Sequence, residues 1–480
     1  MLEEDRYRSK AELLKIKKFQ LAEFSHLKED EQGNNILFFS EQRKVLTPIM
    51  PTIIQSNGEV WEISSLYFIK YLSLNGGRDY KTLLSIAYDL LNFYRFIEEC
   101  QHEDENFDWL YLPLNEEDRV INRYVCHLDN LYRRNLIKSS TRSKKINSVV
   151  HFYKFSFKHK LFDKGVIKNG LPFQIISKNI TTMDSLGFTQ IREVETTNLA
   201  RRSARKKDTV DGIKDGRVLH PIENEHLKII IQALENHPSR AFQLYCRFAL
   251  ETGARSQTIS TIRLHHIKEI LNQKTVLGNK LKLLVGNGTV IDSKFSNEAS
   301  IYIPKQLCLD LIEFTESITW EDSARLSKYD LTDNNYVFLT KRGTPYYTSK
   351  QEIYELENSD DGLDQNITVG GTLRSQLKTL IKIIRTNHSD FPNFSLHDFR
   401  ATYALNSLKE CLDLGWNTTQ ALLHVKKLLG HASIDVTEKY LNYYYEIDSY
   451  KLTKTTKHAK RHFWLTDVCT CHGLLPSHSA

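Results

Sequence analysis

Four side chains near the C-terminal end have the types and spacing to hold a phosphate group. His397 and Arg400 stand three residues apart in FSLHDFRATYAL, His431 follows a Leu-Leu-Gly turn, and Tyr440 comes nine residues later. Residues three apart on a helix share a face, so a helix opening near Ser395 aims the imidazole and the guanidinium the same way. A second helix is expected over Thr418 to Leu429, with Asn417, Thr418 and Thr419 as possible caps, Leu422, Val425, Leu428 and Leu429 as its apolar face, and Gly430 as its stop. That leaves His431 on a tight inter-helix turn. A third helix, beginning near Ser433 or Asp435, carries Tyr440 about a turn and a half in. Tyr443, Tyr444 and Tyr445 make the region Tyr-rich and could mark packing aromatics, but the nine-residue gap from His431 selects Tyr440.

The ordered set His-x-x-Arg, Leu-Gly-His and a downstream Tyr resembles the C-terminal signature of the tyrosine recombinases, the phage integrase family, of the type carried by mobile elements. That family also has an earlier arginine in a Thr-Gly-x-Arg segment, and ETGARSQTISTIR supplies it as Arg255. The resemblance covers roughly residues 220 to 450 and, more loosely, 60 to 165. It implies a mainly α fold with a small β-sheet: a helical core-binding domain followed by a mixed α/β catalytic domain of the DNA breaking-rejoining kind. It also implies a catalytic lysine on a β-hairpin, for which Lys294 is the best match, ahead of Lys280 and Lys282. The usual short Gly-Lys-Gly turn is absent, and the separation from Arg255 is larger than in compact members.

Cutting a DNA phosphodiester without a metal needs a nucleophile, a clamp on the non-bridging oxygens and an acid for the departing 5′-oxygen. A tyrosine ester keeps the energy of the broken bond, so rejoining needs no ATP. Arginine stays charged and its planar fork meets two oxygens, the work a magnesium ion does elsewhere. On the resemblance, Arg255 and Arg400 clamp the phosphate, His397 and His431 complete the oxygen contacts, Lys294 protonates the leaving group and Tyr440 forms a 3′-phosphotyrosyl bond. No metal or cofactor is called for. The implied partners are double-stranded DNA at attachment or element-end sites, further copies of the chain in a tetrameric synapse, and accessory DNA-bending or directionality proteins.

The 480 residues allow two or three domains. A hydrophobic share of 40% is compatible with packed cores, and 65 Lys and Arg against 59 Asp and Glu give a mild excess of +6, so the distribution of charge matters more than its size. Seven scattered cysteines do not form a disulfide framework, the N-terminus lacks the apolar core of a signal peptide, and no run is long enough to span a bilayer. A cytoplasmic protein is expected.

Along the chain, residues 1–58 read as an extension with a charged helical start (Leu2 to His26) and a short β-like patch at Asn35 to Phe39. Residues 59–165 carry three apolar helical periods and a basic run, Arg133, Arg134, Lys138, Arg142, Lys144 and Lys145, expected to face DNA. Residues 166–220 show little periodicity and read as a basic linker with Arg201, Arg202 and Arg205 along the backbone. Residues 221–450 form the catalytic domain, with a β-hairpin over Leu281 to Pro304 around the Asn287-Gly288 and Ser296-Asn297 turns. Residues 451–480 form a basic tail whose Cys469, Cys471, His472 and His478 lack common zinc spacing. Rival readings are a type IB topoisomerase or hairpin-resolving enzyme with the same chemistry, a DNA-binding relative without catalysis, and, more distantly, a metal-dependent hydrolase built on His397, His424 and His431.

Overall fold

The apolar helical periods become helices in the computed structural model, which describes residues 8–29, 35–74, 80–161, 171–183, 189–201, 212–215, 217–276, 278–293, 297–358, 367–431 and 433–446. The chain divides into two compact units, one built from Met1–Arg205 with Tyr354–Asp364, the other from Lys206–Ile353 with Gln365–Ala480. The architecture is mainly helical with small antiparallel sheets, as expected; the described residues form four sheets of two strands each.

The first unit opens with a long antiparallel ribbon, β1 (Glu12–Glu29) and β2 (Asn35–Ile54), in register from Glu12 opposite Ile54 to Glu29 opposite Asn35. The expected charged helix is therefore overturned. The β-branched and aromatic residues of β2 need a hydrogen-bonded neighbour, and Glu12–Glu29 supplies one, a tertiary demand that outweighs local helix preference. Four helices follow: α1 (Glu62–Leu74), α2 (Tyr80–Gln101), α3 (Val120–Arg133) and α4 (Ser139–Lys158). They bury Tyr67, Phe68, Leu90, Phe93, Tyr124 and Phe152 in one core, which Met50 and Ile53 of β2 also enter.

The stretch expected to be an aperiodic linker also folds differently. It holds two hairpins, β3 (Ile175–Met183) with β4 (Thr189–Thr197), and β5 (Ile213–Asp215) with β6 (Arg217–Leu219). The first has β-branched residues throughout both strands, and the second flanks an Asp-Gly dipeptide, a strong hairpin signal.

In the second unit come α5 (Asn224–Glu235), α6 (Arg240–Thr252), the short α7 (Ser256–Ser260) and α8 (Leu264–Leu271), then the expected hairpin as β7 (Lys280–Val285) and β8 (Ala299–Pro304). Leu281, Leu283 and Val285 alternate inward along β7, the period of two that a half-buried strand requires. Then follow α9 (Lys305–Thr315), α10 (Ile318–Arg325), α11 (Lys350–Asn358, of which residues up to Ile353 belong to this unit), α12 (Gly371–Asn387), α13 (Leu396–Asp413), α14 (Thr418–Leu429) and a last helix, α15 (434–446). Two cores result. Ile301 and Ile303 of β8 enter the one built around α6, while Tyr302 enters the one built by α13, α14 and Tyr440. The hairpin thus holds the two halves of the unit together, and no helix of the described residues is long and apolar enough to cross a membrane.

Candidate active site

The start of α13 is fixed by a capping box in which the Asp398 carboxylate accepts from both the Ser395 amide and its hydroxyl at 2.7 Å. The other Asp398 oxygen accepts from the His220 amide at 2.9 Å, and the Thr402 hydroxyl accepts from the Ile222 amide at 2.8 Å. The chain just after β6 is therefore pinned along α13. His397 lies in the first turn of that helix, half-buried, and Arg400 follows one turn later with only 3% of its surface exposed.

Arg400 ties the site together. One terminal nitrogen donates to the Gly253 carbonyl at 2.7 Å and the other to the Leu429 carbonyl at 2.8 Å. Gly253 ends α6 two residues before Arg255, and Leu429 ends α14 two residues before His431. One guanidinium thus joins the Thr-Gly-x-Arg loop to the Leu-Gly-His loop. Gly253 has φ +64°, and a Cβ there would lie 2.4 Å from the Tyr403 ring, so the loop needs glycine both for its backbone and for the close approach of α13. At Gly430, φ +61°, α14 ends as expected and turns the chain to present His431.

The His431 ring is buried, its Nδ1 3.0 Å from the Thr437 hydroxyl of α15. Tyr440 is fully buried on α15, its ring centroid 5.9 Å from that of His431. Its phenol donates to Asp215 Oδ2 at 3.2 Å. The same carboxylate oxygen lies 3.4 Å from His431 Nε2 and 3.6 Å from Arg400 Nε. Neither nitrogen is aligned for a hydrogen bond with it, and both are buried without an aligned partner among the described residues.

These charges set the protonation states. Burial pushes the Asp215 carboxyl up, but contact with His431 and the charges of Arg400 and Arg255 prevail and hold it well below the usual carboxylate range. Burial, then Arg255, lowers the Arg400 guanidinium to about 10, still cationic at neutral pH. Burial also lowers the His431 imidazole below its ordinary value, which favours the neutral ring. The Tyr440 phenol is raised far above its usual range by burial first and by Asp215 second, so it keeps its proton. Arg255, half-buried as the N-cap of α7, acts electrostatically on all four groups.

Of the residues singled out in the sequence, Arg255, Arg400, His431 and Tyr440 come together, with His397 one turn from Arg400. Lys294 lies outside the described residues; Lys280 is half-buried on β7, 5.7 Å from the Tyr403 ring centroid. Sequence reasoning missed Asp215, although the Lys-Asp-Gly-Arg turn could have revealed its hairpin, and Thr437, for which no local signal exists.

The basic residues of the first unit divide. Arg133 and Arg134 are exposed. Arg142, expected to face DNA, instead turns inward to Asp129 at 2.9 Å and lies over the Tyr132 ring, 4.2 Å from its centroid. Its position on the inner face of α4 explains this. Lys145 is buried as well, Lys144 pairs with Asp89 at 3.1 Å, and Arg201 reaches the other Asp129 oxygen at 2.9 Å. Arg202 and Arg205 lie outside the described residues, as do Cys469, Cys471, His472 and His478.

No protein-family model matches this chain, and no curated protein does. Among solved structures it is similar to the Tn1549 transposon integrase in complex with a circular intermediate DNA, at 12% identity over 80% of this chain and 94% of that one, with a TM-score of 0.42. The same integrase in complex with transposon right end DNA matches at 12% identity over the same shares, with a TM-score of 0.42. A lambda integrase dimer bound to a COC′ core site matches at 12% identity over 78% of this chain and 93% of that one, with a TM-score of 0.39.

Proposed function

We propose that this chain is a site-specific DNA recombinase of the tyrosine type that integrates or excises a mobile element. The reading rests on one observation above all: a guanidinium from α13, an imidazole from the turn after α14 and a phenol from α15 converge on one anionic oxygen, with a second arginine acting on the same point. Such a cup suits a backbone phosphate. In the reaction, the Tyr440 oxygen attacks phosphorus, the bond to the 5′-oxygen breaks, and a 3′-phosphotyrosyl ester forms. The phenolic proton passes to a neutral imidazole, for which His431 is in the right state, and the leaving 5′-oxygen takes a proton from a general acid, the role assigned to Lys294. Arg255 and Arg400 hold the charge that develops on the non-bridging oxygens, with His397 as a further contact. A 5′-hydroxyl of the partner duplex later reverses the attack, so neither ATP nor a metal is required. The DNA-contacting role falls first to Arg133 and Arg134, and the working assembly is a tetramer on two duplexes.

The test is a nicked suicide duplex made from the DNA flanking the gene. Wild type is expected to give a covalent adduct that survives denaturing gels, and Tyr440→Phe to bind the duplex equally well without forming one. An adduct persisting in the phenylalanine variant moves the nucleophile elsewhere. The complete burial of Tyr440 favours a second reading, a DNA-binding relative without catalysis, for which no adduct forms with any variant.

A further inference from the structure

We propose that Asp215 is an internal stand-in for the phosphate: in the DNA-free protein its carboxylate fills the anion position of the cup and keeps Tyr440 masked, and an entering phosphodiester must lift the β5–β6 hairpin away. The inference rests on the functional reading above for the identity of the entering anion. Its ground is geometric. A single oxygen, Asp215 Oδ2, touches the phenol at 3.2 Å, His431 Nε2 at 3.4 Å and Arg400 Nε at 3.6 Å. The residue is 7% exposed, so the position is enclosed rather than incidental.

The fit is incomplete in an informative way. Arg400 Nε is a buried donor without an aligned acceptor and His431 Nε2 a buried nitrogen without an aligned partner, although the carboxylate lies beside both. A buried donor left unpaired is unfavourable, and it marks a place built for an acceptor with different geometry. A tetrahedral phosphate offers more oxygens, spread more widely, than one carboxylate edge. Two anions cannot share the position, because like charges at such separations repel strongly in a buried site. Phosphate entry therefore requires Asp215 to leave.

The element that carries it is suited to leaving. Each strand of the hairpin has three residues, with Asp215 paired opposite Arg217 at the far end, while Ile213 and Leu219 anchor the base in the core beside α13. The His220 and Ile222 amides hold the chain beyond it to Asp398 and Thr402, so the tip can move while the base stays. The nucleophile is thus released by the group it attacks, which protects the protein from reacting in the absence of DNA.

The experiment is a titration of the full-length chain with inorganic phosphate, followed by calorimetry and 31P line broadening. Asp215→Asn, nearly isosteric, is expected to tighten phosphate binding by about tenfold or more. Gly212→Ala is a second variant that leaves every charge in place: Gly212 has φ +90°, and its Cβ would lie 2.4 Å from the Leu219 carbonyl oxygen, which forces the hairpin to shift. It too is expected to tighten phosphate binding. Unchanged affinity in both variants, with a folded second unit by thermal melting, overturns the proposal. The suicide-duplex assay separates the two ideas. An adduct with wild type and no gain in phosphate affinity removes the stand-in and keeps the recombinase, whereas a gain in affinity without any adduct keeps the stand-in and removes the recombinase.

Discussion

Arg400 packs the site and, on the proposed function, also binds the phosphate, so its substitution should affect both stability and reaction. Lysine at this position keeps a charge but cannot donate to the Gly253 and Leu429 carbonyls while also facing Asp215. Arg400→Lys is expected to destabilise the second unit by roughly 2 to 4 kcal/mol, since buried carbonyls lose their donors. It should also remove roughly 3 to 4 kcal/mol of transition-state stabilisation. Denaturant melts and single-turnover cleavage measure the two separately. A second residue-scale expectation concerns acid. Burial first, then His265 and Arg263, lowers the His266 imidazole from 6.5 to about 3. Between those values the unfolded chain binds a proton that the folded chain does not, so stability falls as pH falls, by on the order of 1.4 kcal/mol per unit. Below about pH 4 the unfolded chain also takes up a proton at Asp215, whose folded carboxyl is held low and stays ionised, and this adds to the loss. Melting of wild type from pH 7 to 4 should show the slope, and His266→Gln should flatten its upper part.

At the scale of elements, the loops matter as much as the helices. Gly253→Ala strains a left-handed residue and drives a methyl into Tyr403, so it is expected to cost about 1 to 3 kcal/mol and to displace Arg255, measured by chemical denaturation and by loss of adduct. On α3 and α4 the basic side chains should behave differently from one another. Arg142→Ala removes a largely buried cation from the part-buried Asp129, which keeps only Arg201, and its packing on Tyr132, and is expected to destabilise the first unit by about 1 to 3 kcal/mol. Arg133→Ala and Arg134→Ala should leave the fold intact and each lower the salt slope of DNA binding by about 1. Binding isotherms at several salt concentrations distinguish these outcomes. The helices were legible because apolar residues recur along one face, as in α2 with Leu83, Ala87, Leu90, Leu91 and Tyr94, and because α13 and α14 carry capping residues where a helix must start. The β1–β2 ribbon was not legible, since Glu12–Glu29 becomes a strand only through its long-range pairing with β2.

Across the whole molecule, the candidate site is assembled from segments near residues 215, 255, 400, 431 and 440, and the sequence could reveal those members whose type and order form a pattern. Asp215 forms no pattern with the others. Its place in the cup depends on a hairpin that is bound to α13 by backbone amides, a relation no local periodicity encodes. The orientation of basic side chains in the first unit was likewise hidden, because a run of Arg and Lys looks the same whether it faces solvent or, like Arg142, an internal carboxylate.

The double tether of Arg400 to the ends of α6 and α14 has a practical corollary. Anyone seeking an inert protein to trap on its target should leave position 400 alone and remove the hydroxyl at 440, because the first change dismantles the receptacle along with the reaction. A null phenotype from an altered guanidinium would report on architecture as much as on chemistry, and only the missing phenol isolates the latter.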